Sequence, residues 1–368
     1  MTRPSDVEVL VVGGGPVGLV AALHAARAGF DVAVIEPRHA PIDKACGEGL
    51  MPAALAALRR LDIDPPGAEL AGIAYCQGDT RAEHRFAGAA GRGVRRTALH
   101  ATLSEHVAAA GIPVLTGRLE SLAQDAAGVT VQAVGPGGAT VEARPSDATA
   151  GAGPRSIRAR WLIGCDGLHS NVRGLIGALA RASSPRRRRF GLRRHFRVAP
   201  WSDLVEVHWG PMAEAYVTPV ADDLVGVAVL GPQGTDFGDA VAALPSLAAR
   251  LAGAPADGPV RGAGPLLQRT RTRVRGRVLL AGDASGYVDA LTGEGLRVGF
   301  VQAEAAVRAI SDGDPQTYEP AWRRATRDTR LLTSGLLVAA RSPLRARIVP
   351  TAARAPGIYG AIVERLAR

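Results

Sequence analysis

The apolar positions of the first forty residues switch period twice. Val9-Leu10-Val11-Val12 is a short β-branched run, the pattern of a buried strand. Leu19 to Ala28 is rich in Ala and Leu and predicts a helix, which Gly29 ends where a left-handed residue is wanted. Val32-Ala33-Val34-Ile35 predicts a second strand, closed by Glu36 and Pro37. Helices are expected over 51–61 and over 97–110, where Leu99, Leu103 and Val107 recur at spacing four. Two strands are expected around Gly78-Asp79. More follow at 114–115, 129–134, 140–143, 156–159 and 161–165. From 190 to 230 the pattern is all-β, with strands at 204–209, 215–220 and 224–230 between Gly-Pro and Asp-Asp turns. A helix over 240–251, a buried strand at 278–281 and a helix over 295–310 come next. The chain is mostly helical from Tyr318.

Composition narrows the class. At 368 residues the chain can bury a sizeable core, and 47% hydrophobic content is that of a globular protein. No apolar run reaches bilayer length, and Met1 to Glu8 has no signal-peptide core, so a cytoplasmic location is the expectation. Cys46, Cys76 and Cys165 are too few and too far apart for a disulfide framework, and no metal site is expected. The net charge of +10 is spread out and almost wholly arginine, Lys44 being the only lysine. It suggests anionic cofactors or an anionic membrane surface rather than nucleic acid. The dense run Arg186 to Arg189 is expected to be a solvated loop.

Three short motifs carry the candidate chemistry. Between the first strand and helix stands Gly13-Gly14-Gly15-Pro16-Val17-Gly18, a G-x-G-x-x-G. Gly13 allows a tight turn, Gly15 a close approach of pyrophosphate, and Gly18 close packing of helix on strand. The helix N-terminus offers free N–H groups to phosphate. Glu36 at the tip of the second strand suits a ribose hydroxyl, hence FAD or NAD rather than NADP. The second motif is Asp166-Gly167, closing a buried strand, with Arg173 within phosphate reach; an Asx-turn beside an exposed arginine is the alternative. The third is Gly282-Asp283, followed by Gly293-Glu294-Gly295-Leu296 at a helix start, where backbone N–H groups can face a flat ring.

In this order, the motifs resemble those of the FAD-dependent aromatic hydroxylases of the p-hydroxybenzoate hydroxylase fold and their relatives, the geranylgeranyl reductases. The similarity runs from about residue 7 to 310. It implies an α/β fold with a Rossmann-like FAD-binding domain (1–67, 95–180 and 265–310). A β-rich substrate domain (68–94 and 181–264) and a C-terminal helical tail (311–368) complete the expected layout. It also implies that Glu36 takes the adenosine ribose, Arg96 the pyrophosphate, Asp283 the ribityl chain and Gly293 to Leu296 the flavin ring. Asp166 and Arg173 would serve FAD and visiting NADPH or NADH. Two departures lean toward the reductases: Ser285 and Ala290 stand where hydroxylases usually carry His and Pro. Lys44-Ala45-Cys46-Gly47-Glu48-Gly49 is similar to the reductases' K-x-C-G loop.

The resemblance implies an NAD(P)H-consuming monooxygenase using O₂ and a flavin C4a-hydroperoxide on a hydrophobic aromatic, such as a phenolic lipid or polyketide intermediate. Reduction of an isoprenoid C=C bond is the alternative, and a flavin-binding accessory protein without turnover is the third. Lys44 and Cys46 are candidate catalytic or flavin-side residues, as is Gly47 for cofactor contact. Trp209 and Tyr216 are further catalytic candidates, expected with Val205, Val207 and Thr218 to line an apolar substrate pocket. His195 and His208 could face a substrate. The Arg-studded tail from Leu331 either packs on the FAD domain or lies on a membrane surface.

Overall fold

The computed structural model describes residues 6–135, 155–180 and 188–368; the strand expected at 140–143 and the first half of the Arg186–Arg189 run lie outside them. Among the described residues the strands form sheets of eight, seven and three.

The eight-stranded sheet reunites distant parts of the chain. Val7–Val12 lies at its centre, parallel to Val32–Glu36 on one side and to Arg155–Gly164 on the other. Val114–Thr116 and Val278–Leu280 extend it, again in parallel. These strands read as unbroken apolar runs because helices or loops cover both faces. On one face lie the helices Pro16–Arg27, Arg96–Ala109 and Gly295–Ser311, whose buried residues join Val9, Val11, Val34 and Ile163 in one core. An antiparallel hairpin, Arg118–Gln124 and Val129–Val134, pairs onto Arg155–Gly164. The chain is thus α/β, with a mostly parallel, helix-covered sheet, an inserted β-sheet and C-terminal helices.

The seven-stranded sheet runs in the order Ala256–Ala263, Arg189–Arg197, Leu224–Pro232, Glu214–Ala221, Leu204–Trp209, Gly72–Gln77, Thr80–Arg85. One face packs Ala215, Val217, Val225 and Val227 against two short helices, Phe237–Ala242 and Pro245–Leu251. The expected single helix over 240–251 breaks at Leu244, because Pro245 has no N–H to continue it. The other face, with Val205, Val207, Trp209 and Tyr216, meets Leu291 and the inner sides of the helices Tyr318–Ala340, Ile348–Arg354 and Pro356–Ala367. Tyr359 donates to the Ile73 carbonyl at 3.2 Å and Glu364 accepts from Ala87 N at 2.8 Å, so the tail is locked to this sheet. None of the described helices is long and apolar enough to cross a membrane.

Candidate functional site: three corners and a docked loop

The glycine corner forms where a Cβ is forbidden. Gly13 has φ of 107°, a left-handed value, and sits against the Cys165–Asp166 backbone. A Cβ on Gly18 would lie 1.8 Å from the Gly13 carbonyl oxygen, so helix and strand can approach this closely only without one. No side chain caps the helix Pro16–Arg27 and no acid stands in its first turn, leaving its N–H groups to an anion. Glu36 is buried, accepting from Gly14 N at 2.8 Å and from Arg38 N and Nε at 3.0 and 2.7 Å. It therefore fixes the glycine loop from the neighbouring strand.

The helix Arg96–Ala109 crosses above this loop. The Arg96 guanidinium lies 3.9 Å from the point where a Gly15 Cβ would stand, and its buried Nε has no partner. One turn on, His100 Nε2 donates to the Gly14 carbonyl at 2.8 Å, while Nδ1 faces Ser104 Oγ at 3.2 Å. His100 went unnoticed in the sequence, although its i+4 spacing from Arg96 puts both on one helix face. Burial lowers the His100 pKa from 6.5, with Arg96 adding to it and the Gly14 hydrogen bond opposing. The fold therefore favours the neutral ring. Its stabilisation is complete above about 6.5 and is lost as pH falls through the lowered value. Urea midpoints should drop between pH 7 and 5, and the drop should be shallower in His100→Gln.

The other two corners abut the first. Gly282 and Gly299 face the Val17 side chain at 3.2 and 2.4 Å from their would-be Cβ positions. Asp166 Oδ2 accepts from Asn171 N and Val172 N at 2.7 and 3.0 Å, starting the helix Asn171–Leu175, while its buried Oδ1 has no partner. Burial raises the Asp166 carboxyl against these hydrogen bonds. Lys44 Nζ bridges the last two corners, 3.8 Å from Asp283 Oδ2 and 3.5 Å from where a Gly167 Cβ would be. At the third corner the helix Gly295–Ser311 has no side-chain cap, and Gly293 has φ of 69°. Glu294 does not cap it: its Oε1 accepts from Arg297 Nε at 2.9 Å and its buried Oε2 has no partner.

Several expectations need correcting. Arg173 is spent on protein: it donates to the carbonyls of Asp283, Ala284 and Leu168 and to Gln268 Oε1, at 2.7–3.2 Å. It clamps the second corner to the third, while its buried Nε has no partner. Tyr216 donates its hydroxyl to the Leu291 carbonyl at 2.7 Å, and Trp209 is buried beneath Arg345. Both are packing residues under the third corner, not free catalytic groups. Arg189 is buried rather than solvated: Glu214 pairs with it, and Asp289 lies 3.7 Å away. His195 and His208 face Glu48 and Glu206 instead of an open pocket.

Cys76, Glu206 and His208 do gather, their ligand atoms within 4.8 Å of one another. The cation among them is Arg81, with Nη1 2.7 Å from Glu206 Oε1 and 3.5 Å from Cys76 Sγ. Trp201 Nε1 also donates to Glu206 at 2.9 Å. Burial opposes ionisation there, yet hydrogen bonds from His208, Arg81 and Trp201 hold the Glu206 carboxyl at about 2. Burial pushes the Cys76 thiol up to about 11. The cluster is a satisfied ion-pair network.

The loop Asp43 to Gly49 docks between the corners and the large sheet. Thr218 Oγ1 donates to the Gly47 carbonyl at 2.8 Å, and Cys46 Sγ accepts from Glu48 N at 3.4 Å. Tyr287, missed in the sequence, stands over Gly295, its hydroxyl 3.4 Å from where a Cβ would be. Desolvation pushes its phenol well above 10, helped by Asp283, Asp289 and Cys46.

Uncapped helix N-termini at two corners, an orphaned arginine Nε beside Gly15 and an orphaned carboxylate oxygen on Asp166 suit a long ligand with a pyrophosphate and hydroxyls. The family comparison agrees: the FAD binding domain model matches residues 6–219. The chain belongs to this family of FAD-binding flavoproteins, and FAD is its cofactor. A menaquinone reductase of Mycolicibacterium smegmatis is 55% identical over 56 residues, which span 15% of this chain and 14% of that protein. The digeranylgeranylglycerophospholipid reductase 1 of Methanopyrus kandleri is 26% identical over 361 residues, 88% of each chain. Among solved structures, the p-nitrophenol 4-monooxygenase PnpA of Pseudomonas putida has the same fold. Its TM-score is 0.76 at 22% identity, over 96% of this chain and 94% of that one. The matched stretch spans only about one-seventh of the length of the menaquinone reductases.

Proposed function

We propose that the protein passes reducing equivalents from NADH or NADPH through FAD to a C=C bond of a lipophilic isoprenoid. The Cys46 loop and Tyr287 carry this reading: the phenol hydroxyl stands over Gly295, beside the corner assigned to the flavin ring. A hydroxyl placed there can pass on the proton that must accompany a hydride. The relative similar along most of its length is a reductase of isoprenoid lipid, which supports the same choice.

Bound FAD supplies hydride chemistry between a nicotinamide and the substrate. Gly15 and the helix behind it would hold the pyrophosphate with Arg96, Glu36 the ribose, Asp166 and Asp283 the hydroxyls along the chain, and Gly293 to Leu296 the ring. Pro16 and Val17 would position the first helix turn, and Pro37 the edge of the ribose site. A cleft of about 280 Å³ lined by Lys44, His169, Phe190 and Gly262 to Gly264 opens beside Lys44 and suits the approaching nicotinamide dinucleotide. Tyr287 would hold the proton, and the Cys46 loop would exclude water.

Hydroxylation of a hydrophobic aromatic with O₂ is the second reading, supported by a 29% identical stretch of 195 residues in a 3-(3-hydroxy-phenyl)propionate/3-hydroxycinnamic acid hydroxylase. NAD(P)H oxidation followed with and without O₂ separates the two. The first reading expects oxidation without O₂ and a product gaining two hydrogens. Strict O₂ dependence with a product gaining one oxygen atom would sink it. Tyr287→Phe should keep its FAD yet lose roughly 10²-fold in kcat.

A further inference from the structure

Glu48 is buried and has φ of 60°, a conformation that a non-glycine residue holds only when its surroundings over-determine it. Those surroundings are specific. The carboxylate Oε1 accepts from Arg96 N at 2.9 Å. This supplies the helix Arg96–Ala109 with the negative charge its own first turn lacks, since no side chain of that turn caps it. Oε2 lies 2.6 Å from His195 Nε2 on the large sheet. His195 Nδ1 lies 3.1 Å from Arg193 Nη1, which can only donate, so Nε2 carries the ring proton and gives it to Glu48. Arg193 in turn pairs with Asp43 at the base of the same loop and reaches the Lys44 carbonyl at 3.4 Å. Gly226 completes the nest: a Cβ there would stand 2.7 Å from Glu48 Oε2.

One carboxylate thus ties three separate parts together: the Cys46 loop, the start of the helix carrying Arg96 over Gly15, and the strand Arg189–Arg197 of the seven-stranded sheet. We propose that Glu48, oriented by His195, is a positioning residue that aims Arg96 at the FAD pyrophosphate, so that the substrate-side sheet sets the strength of the phosphate grip. This rests on Arg96 being a phosphate contact. Glu48 acts through the helix start, fixing where the guanidinium points.

The experiment is a double-mutant cycle on FAD affinity, read by fluorescence titration of protein stripped of cofactor and refilled. Glu48→Gln keeps the shape but removes the charge. It should weaken FAD binding roughly tenfold in the wild-type background and leave affinity unchanged in an Arg96→Ala background. Gly226→Ala approaches the same carboxylate from the sheet and should give the same pattern. Unfolding midpoints of the stripped proteins provide the control, because a merely structural role would lower them and weaken FAD equally in both backgrounds. Equal losses in both backgrounds, or no loss in Glu48→Gln, overturns the proposal. If Arg96→Ala alone leaves affinity intact, the phosphate assignment fails, and the proposal falls with it.

Discussion

Glu214→Ala should destabilise the protein by about 3–5 kcal/mol, the cost of leaving buried charge without its partner. Glu214 is fully buried and receives both Arg189, from two strands away in the same sheet, and, at 2.5 Å, Arg345 of the segment after the helix Tyr318–Ala340. Arg345 also donates to the Gly210 and Ala340 carbonyls at 2.6 and 3.0 Å. Removing the carboxylate therefore strands two guanidinium groups, one of them beside Asp289 in the flavin-side turn. Urea unfolding read by fluorescence measures the loss. Glu214→Gln should recover only part of it, since an amide cannot neutralise either arginine. Replacing Arg189, Glu214 and Arg345 together by methionines should cost far less than Glu214→Ala alone, because the penalty lies in the unpaired charge. A triple variant weaker than the single one would contradict this.

Gly18→Ala should yield protein that purifies without FAD. The added methyl would stand 1.8 Å from the Gly13 carbonyl oxygen and 3.3 Å from the Cys165 side chain, and neither backbone corner has room to retreat. The helix must move off the strand, carrying its N-terminal N–H groups away from the phosphate position. Absorbance near the flavin bands after gel filtration, relative to protein, measures retained cofactor. A comparable methyl at Gly29, where nothing lies within 4 Å of the added atom, should leave FAD content unchanged despite its left-handed φ of 88°. A yellow Gly18→Ala protein with full occupancy would remove the steric account of this glycine.

What could be read in the chain followed from how local each signal is. Val9 to Glu36 holds strand, glycines, helix, strand and acid within one unit, so period and composition describe it completely. The buried strands ending at Asp166 and Asp283 announce themselves by apolar runs stopping at Asp. Partners far apart in sequence were not legible. Glu48 and His195 are 147 positions apart, and only the docking of loop on sheet makes them neighbours. Arg189 looked solvated because it closes a run of arginines, yet its strand alternates, and Arg189 falls on the inward side with Glu214. The same limit explains Trp209 and Tyr216, whose types suit a pocket but whose register places them under the tail helices.

Two of the strands missed have no apolar face. Ala256–Ala263 contains two glycines and a proline and is almost wholly exposed, surviving as an edge strand on backbone pairing with Arg189–Arg197. Arg118–Gln124 is similarly polar, held by its hairpin partner. Periodicity detects burial, and these strands have little to bury.

The order of strands in the eight-stranded sheet also bears on synthesis. The glycine loop leaves the ribosome first, but its neighbour Arg155–Gly164 comes far later, and Val278–Leu280, which carries Asp283 into place, later still. The nascent chain must keep its earliest strand unmated on one side while the whole β-rich middle is being made. Such high contact order makes cofactor capture wait until Val278–Leu280 has been made, and leaves the early intermediates dependent on protection from aggregation.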